Sequence, residues 1–254
     1  MRALEAIGVA FGMFSRIPVP KRVWTQSGME RAIAAFPLVG VVEGALIAAW
    51  GLVAAHFALP NTLAAAGFVV LPVLVNGGIH LDGLCDTSDA LSSYAPREKK
   101  LEILHDPRAG AFGVIALVIY FLLACSLYSC ASFDLYDLAA LGFTFVLSRA
   151  LSGLAVECWP NARLDGMVAS LAPAKKRRGI VVCLAVFTVL AIVCIVVFAQ
   201  VTGVASVLAA LVVLAWYRHV ALVRFGGVTG DLAGWFLQWA ELSMLAVLVL
   251  GGLL

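Results

Sequence analysis

Apolar side chains along this chain fall into long unbroken runs. Seven of them are long enough to cross about 30 Å of hydrocarbon as helices: roughly residues 33–57, 62–79, 111–131, 135–158, 179–199, 203–223 and 233–254. The pattern predicts an all-α fold, a polytopic membrane bundle of about seven transmembrane helices forming one domain over residues 1–254. An eighth run, 3–14, is too short for a span. It predicts an interfacial or re-entrant helix stopped by Pro18 and Pro20.

The segments between the runs alternate in character. Residues 15–32, 80–110, 159–178 and 218–232 hold fifteen of the seventeen Lys and Arg, whereas the joins 56–61, 134–137 and 200–203 hold none. By the positive-inside rule the basic set is cytoplasmic. A multi-pass protein of the cell (inner) membrane is expected, with its active site facing the cytoplasm. Composition agrees, because 63% hydrophobic and 13% charged residues lie far from the balance of soluble domains. The lipid bilayer is therefore a partner and nucleic acid is not. Small residues on many faces leave room for a homo-oligomer. Six scattered cysteines without metal-like spacing read as reduced packing residues. No small-residue cleavage site precedes "SRIPVP", so a cleaved signal peptide is not expected.

Against this apolar background, "HLDGLCDTSDAL" at 80–91 concentrates three carboxylates. If the stretch is helical, Asp82, Asp86 and Asp89 fall within about 60° of one another. Such a stripe needs a neutralising cation, and hard oxygen ligands without a nearby Cys or paired His point to Mg²⁺ or Mn²⁺. A solvated acidic helix end is the plainer reading of the same residues. His80 reads as a hydrogen-bonding neighbour. In "EILHDPRAGAFG" (102–113), Asp106-Pro107 predicts the N-cap and first residue of the next helix. That helix start, with Arg108, Gly110 and Gly113, also suits a phosphate.

In "RFGGVTGDLAG" (224–234), Gly226, Gly227 and Gly230 permit tight turns and offer backbone N–H groups. Thr229 and Asp231 supply oxygens for a phosphate-bound metal or a ribose, although Asp231 as a simple N-cap explains the turn equally well. Three such segments on one membrane face read as a diphosphate and its metal gripped from three loops. "NARLDG" adds Arg163 and Asp165, whose roles nothing local fixes. The run Lys175-Lys176-Arg177-Arg178 reads as an anchor at an anionic leaflet. Inside the spans Glu43, Arg149 and Glu241 stand at similar depth, roughly 12–15 Å from the cytoplasmic end. At least one glutamate is expected to pair with Arg149, either in a polar cavity open to the cytoplasm or as a structural ion pair.

Taken in order, "SRIPVP", "FPLVG", "NGGIHLDGLCDTSDAL", "LEILHDPRAGAFG", "LSRAL" and "FGGVTGD" with a later glutamate resemble the cobalamin synthase (adenosylcobinamide-GDP ribazoletransferase) family over nearly the whole chain. Arg149, Arg163, Asp231 and Glu241 fall on matching positions. Cys85, Pro107 and Glu43 depart from the pattern, which weakens a catalytic role for Glu43. The resemblance implies Mg²⁺-dependent joining of adenosylcobinamide-GDP to α-ribazole or its 5′-phosphate, with release of GMP. It further implies that Asp82, Asp86 and Asp89 hold one or two Mg²⁺ ions, and that Asp89 or Asp106 accepts the ribose proton. Substrate contacts would come from His80, Arg108, Arg149, Arg163, Gly226, Gly227, Thr229, Gly230, Asp231 and Glu241. Two other classes are weaker. The CDP-alcohol phosphotransferase signature is absent, because Asp86-Thr87 stands where Ala-Arg is needed, and a transporter lacks its inverted repeat.

Overall fold

The computed structural model describes residues 2–163, 171 and 177–252. Among them every regular element is helical apart from one isolated bridge. The order is α1 (Arg2–Phe14), α2 (Gln26–His56), α3 (Asn61–Asn76), α4 (Ile79–Ser92), α5 (Arg97–Ile103), α6 (Ala111–Cys130), α7 (Leu135–Cys158), α8 (Arg178–His219) and α9 (Gly230–Gly251). Local chemistry sets several starts. Thr25 caps α2 by accepting from the Gly28 N–H at 3.0 Å, and its hydroxyl donates to Glu5 at 2.9 Å, which ties α1 to α2. Asp134 and Asp137 close a reciprocal capping box on α7.

Five of these helices are long and apolar enough to cross a membrane, or six if α3 and α4 count as one broken span. The seven expected runs are thus not seven separate helices. α8 has 42 residues, about 63 Å at 1.5 Å per residue, or twice a hydrocarbon core. At Gln200 its backbone leaves the helical region, with φ 48° and ψ −121°, and side-chain contacts show that the chain doubles back there. Arg177, just before α8, bonds Glu157 near the C-terminal end of α7. Phe198 meets Tyr136 and Phe143 toward the other end of α7, and Tyr217 returns to Trp159. The two legs correspond to the runs 179–199 and 203–223.

The run 62–79 departs from expectation in another way. It stops at Asn76, where Gly77 and Gly78 adopt φ of 70° and 82° and turn the chain by 94° into α4. Asn76 Oδ1 accepts from the Gly78 N–H at 2.8 Å and fixes the bend. α4 therefore lies across the end of the bundle and does not continue α3.

Most of α7 and α9 is buried, whereas α6 and α8 leave most of their apolar side chains exposed, as lipid-facing helices do. α2 meets α7 backbone to backbone through Gly40 and Gly44, where a side chain on Gly44 would strike the Gly142 carbonyl. Small residues spaced four apart permit this approach. It sets Glu43, on the turn between them, against Arg149 of α7. One end of the bundle collects α4, α5, the C-terminal end of α7 and the N-terminal ends of α6 and α9.

Candidate active site

At that end lies a cavity of about 320 Å³. Its floor is apolar, built by Phe14, Ile33, Phe36, Val156 and Leu237. Its rim carries Asp82, His105, Arg163, Thr229, Gly230 and Asp231. The rim residues come from four separated stretches of sequence.

The stretch 80–91 is helical, as its spacing required, so Asp82 and Asp86 stand one turn apart. Between them Gly83 allows α9 to come so close that any side chain there would strike the Asp231 backbone. That approach brings Asp231 to the same carboxylate group. Burial first, and then the charges of Asp82, Asp231 and Asp89, push the half-buried Asp86 carboxyl up to about 7. No three His, Cys, Asp or Glu side chains among the described residues form a ready-made metal site.

Asp89, expected in the metal stripe, is engaged elsewhere. Its Oδ2 accepts from the Gly110 N–H at 2.7 Å and its Oδ1 from the Gly113 N–H at 2.9 Å. It thereby caps α6 from another helix and meets the positive end of that helix dipole. The predicted cap at Asp106 is corrected accordingly, because the residue at the N-cap position of α6 is Gly110. Asp106 instead binds Arg108, at 2.9 Å to Nε and 2.8 Å to Nη2. The Arg108 side chain and backbone N–H hold the Asp106 carboxyl down to about 2, which makes it a poor base. Arg108 is exposed, and neither residue lines the cavity.

The glycine loop before α9 is also spent on structure. Gly226, at φ 75°, and Gly227 both turn their N–H groups to the Ala221 carbonyl, and the Val228 N–H goes to Pro160. The N–H groups of Gly226 and Gly227 are thus taken up within the loop, whereas Gly230 lies on the cavity rim. Thr229, not Asp231, caps α9 by accepting from the Leu232 N–H at 3.2 Å. A short parallel bridge between Asn161 and Val228 fastens the loop to the end of α7. Arg163 follows that bridge, contacts His105 Nε2, and lies with it near enough to Asp231 for both charges to bear on its carboxyl. Asp165, Lys175 and Lys176 lie outside the described residues.

Arg149 and Glu241 do not reach the cavity. Arg149 is fully buried and bonds two glutamates, Glu43 through Nη2 and Glu241 through Nη1, each at 2.6 Å. The expected pair is a triad, joined by Ser148, which donates to Glu241 at 2.7 Å. The triad ties α2, α7 and α9 together, and neither Arg149 nor Glu241 is among the residues that line the cavity.

Among the described residues on the cavity lining, two buried side-chain atoms have no partner: His80 Nε2 and Ser152 Oγ. Burial and the nearby charge of Arg149 hold the His80 ring far below its ordinary pKa, so it is neutral. It packs against Phe36 with ring centroids 5.9 Å apart. Reading the sequence placed His80 at the site but missed His105 and Ser152. His105 sat inside a quoted segment with no signal to separate it from a surface histidine. Ser152 is one small residue within an apolar run.

Fold and site together define a polytopic helical membrane protein whose acidic groups gather at the rim of an apolar-floored cavity. The chain matches the family model for cobalamin-5-phosphate synthase over residues 6–249, and it belongs to that family. A relative from Lachnoclostridium phytofermentans, named adenosylcobinamide-GDP ribazoletransferase, is 38% identical over 255 residues, covering 100% of this chain and 97% of its own. Proteins of the same name from Pseudomonas putida (38% identity, 92% of this chain and 91% of that one) and Shewanella amazonensis (34% identity, 98% and 96%) are similar as well. No solved structure matches.

Proposed function

We propose that this protein transfers the cobinamide-phosphate moiety of adenosylcobinamide-GDP to α-ribazole or its 5′-phosphate, releasing GMP and forming adenosylcobalamin or its 5′-phosphate. The observation that carries this reading is the gathering of Asp86 with Asp82 and Asp231, the last two on the rim of one cavity, in a chain whose full-length relatives bear the ribazoletransferase name. A ribose hydroxyl oxygen bonds to the phosphorus nearer the cobinamide, the bond from that phosphorus to the bridging oxygen breaks, and GMP departs with the bonding pair. Such transfers depend mainly on positioning and charge neutralisation.

The donor set suits Mg²⁺. That ion typically takes one or two carboxylates and completes its shell with phosphate oxygens and water. Asp82 and Asp86, a turn apart and crowded by further negative charge, form such a pair. When bound, the ion would neutralise charge on the diphosphate as GMP leaves. Asp231, on the cavity rim and not committed to capping, would accept the proton of the ribose hydroxyl. Arg163 would hold a phosphate oxygen. His105 touches the Arg163 guanidinium through Nε2 and shares its approach to Asp231.

The clustering of Lys and Arg supports a cavity on the cytoplasmic side of the cell (inner) membrane. A Ser92→Cys variant should then be labelled by an impermeant thiol reagent only from the cytoplasm, and labelling in intact cells would reverse the orientation. The reaction itself is tested with detergent-solubilised protein, adenosylcobinamide-GDP, α-ribazole and Mg²⁺. GMP should form only when both substrates are present. GMP formed without α-ribazole, or none at all, would refute the proposed transfer.

A further inference from the structure

The acidic rim accounts for the diphosphate end of the reaction and leaves the floor of the cavity without an occupant. Three properties of that floor narrow the choice. At about 320 Å³ the cavity is at the small end of ligand pockets, so it takes one nucleoside and not a corrin macrocycle. Its walls are aromatic and aliphatic, with Phe14 and Phe36 in contact at 4.2 Å between ring centroids, which suits the faces of a flat ring. Among the described residues of its lining, His80 and Ser152 present buried polar side-chain atoms without a partner. Leaving such atoms unpaired is costly, and a bound ligand that bonds them relieves the cost.

We infer that this floor seats the base of the acceptor nucleoside, a benzimidazole-type ring, with its ribose directed to the acidic rim. The inference rests on the ribazoletransferase reading above and identifies which substrate enters the cavity. A benzimidazole linked to ribose through one nitrogen keeps one free ring nitrogen on an otherwise apolar plane. The hydroxyl of Ser152 can donate to that nitrogen, and so can His80 when its proton is on Nε2. Guanine fits worse. Its edge carries several donors and acceptors, and a floor with two polar atoms would strand the rest. A lipid tail fits worse still, because it would leave both polar atoms unpaired. With the base on the floor, the ribose hydroxyl lies toward Asp231 and the diphosphate, with its corrinoid, stays outside the mouth.

Dead-end inhibition of the wild-type protein is the first test. Free benzimidazole should compete with α-ribazole and not with adenosylcobinamide-GDP, and guanosine should not compete with α-ribazole. Competition by benzimidazole against adenosylcobinamide-GDP alone would overturn the inference. Filling the floor with Leu237→Phe should raise the KM for α-ribazole by about tenfold or more, the scale of a misfit in an apolar pocket, while the KM for adenosylcobinamide-GDP stays close to wild type. Ser152→Ala, a smaller change that keeps the packing, should raise the same KM by about fivefold through loss of one hydrogen bond. An unchanged α-ribazole KM in a folded, active variant would refute the seat and leave the transfer reaction intact. If the wild type made no GMP at all, the reaction assignment would fall instead. Equilibrium dialysis of α-ribazole against the same protein, with benzimidazole as competitor, would then decide the seat, and absence of displaceable binding would refute it.

Discussion

Around Arg149 two glutamates meet one guanidinium at 2.6 Å on either side, deep in the bundle and sealed by α2, α7 and α9. Around Asp86, one turn along α4 from the rim residue Asp82, the charges that bear on the carboxyl are all negative, from Asp82, Asp231 and Asp89. Both places collect acids, and the sequence made both look functional. The difference is whether a cation of the chain meets the carboxylates directly. In the buried centre each glutamate bonds directly to the one guanidinium, which ties three helices together. At the rim Arg163 bears on Asp231, but no cation of the chain is among the charges that bear on Asp86, which suits the proposed diphosphate and its cation.

This contrast predicts opposite failures. Arg149→Leu strands two carboxylates in the bundle and should cost about 3–5 kcal/mol, as breaking a buried pair does, seen as lost folded yield or a lower melting temperature in detergent. Arg149→Lys should lose less. A stable Arg149→Leu protein that lacked only turnover would move the triad into the active site and dissolve the distinction. Next in size, Asp89→Ala removes the cap on α6 and should destabilise by about 1–2 kcal/mol, with the Mg²⁺ requirement of the remaining activity unchanged. A shifted Mg²⁺ requirement would return Asp89 to the metal. Smallest of all, Arg108→Ala removes an exposed pair outside the cavity and should leave melting temperature and KM values near wild type. A large rise in the KM for adenosylcobinamide-GDP would show that Arg108 swings in to bind it.

Hydrophobic runs made the helical membrane fold legible, since burial in lipid demands length and apolarity that no other structure needs. They located the two legs of α8 without revealing that Gln200 joins them with no intervening loop. The helical spacing of Asp82 and Asp86 was legible for the same local reason. The fate of Asp89 was not, because its partners are the N–H groups of Gly110 and Gly113 on a helix whose position depends on the tertiary fold. Asp231 joined the carboxylates through a close approach at Gly83 that is 148 positions away in sequence, the difference between 231 and 83. The glycines at 226 and 227 misled in the opposite sense. Flexible loops resemble phosphate grips until their N–H groups are traced, and here they end on Ala221.

The central claim is that the acidic rim works through a cation that the chain does not itself supply, and Asp86 tests this most directly. Asp86→Asn keeps the shape, removes one charge and relieves repulsion in the metal-free protein, so size-exclusion behaviour and melting temperature should hold. GMP release from adenosylcobinamide-GDP and α-ribazole, measured across a Mg²⁺ titration, should fall in turnover by about two orders of magnitude and need more Mg²⁺ to reach its plateau. Wild-type turnover at an unchanged Mg²⁺ requirement would contradict the account.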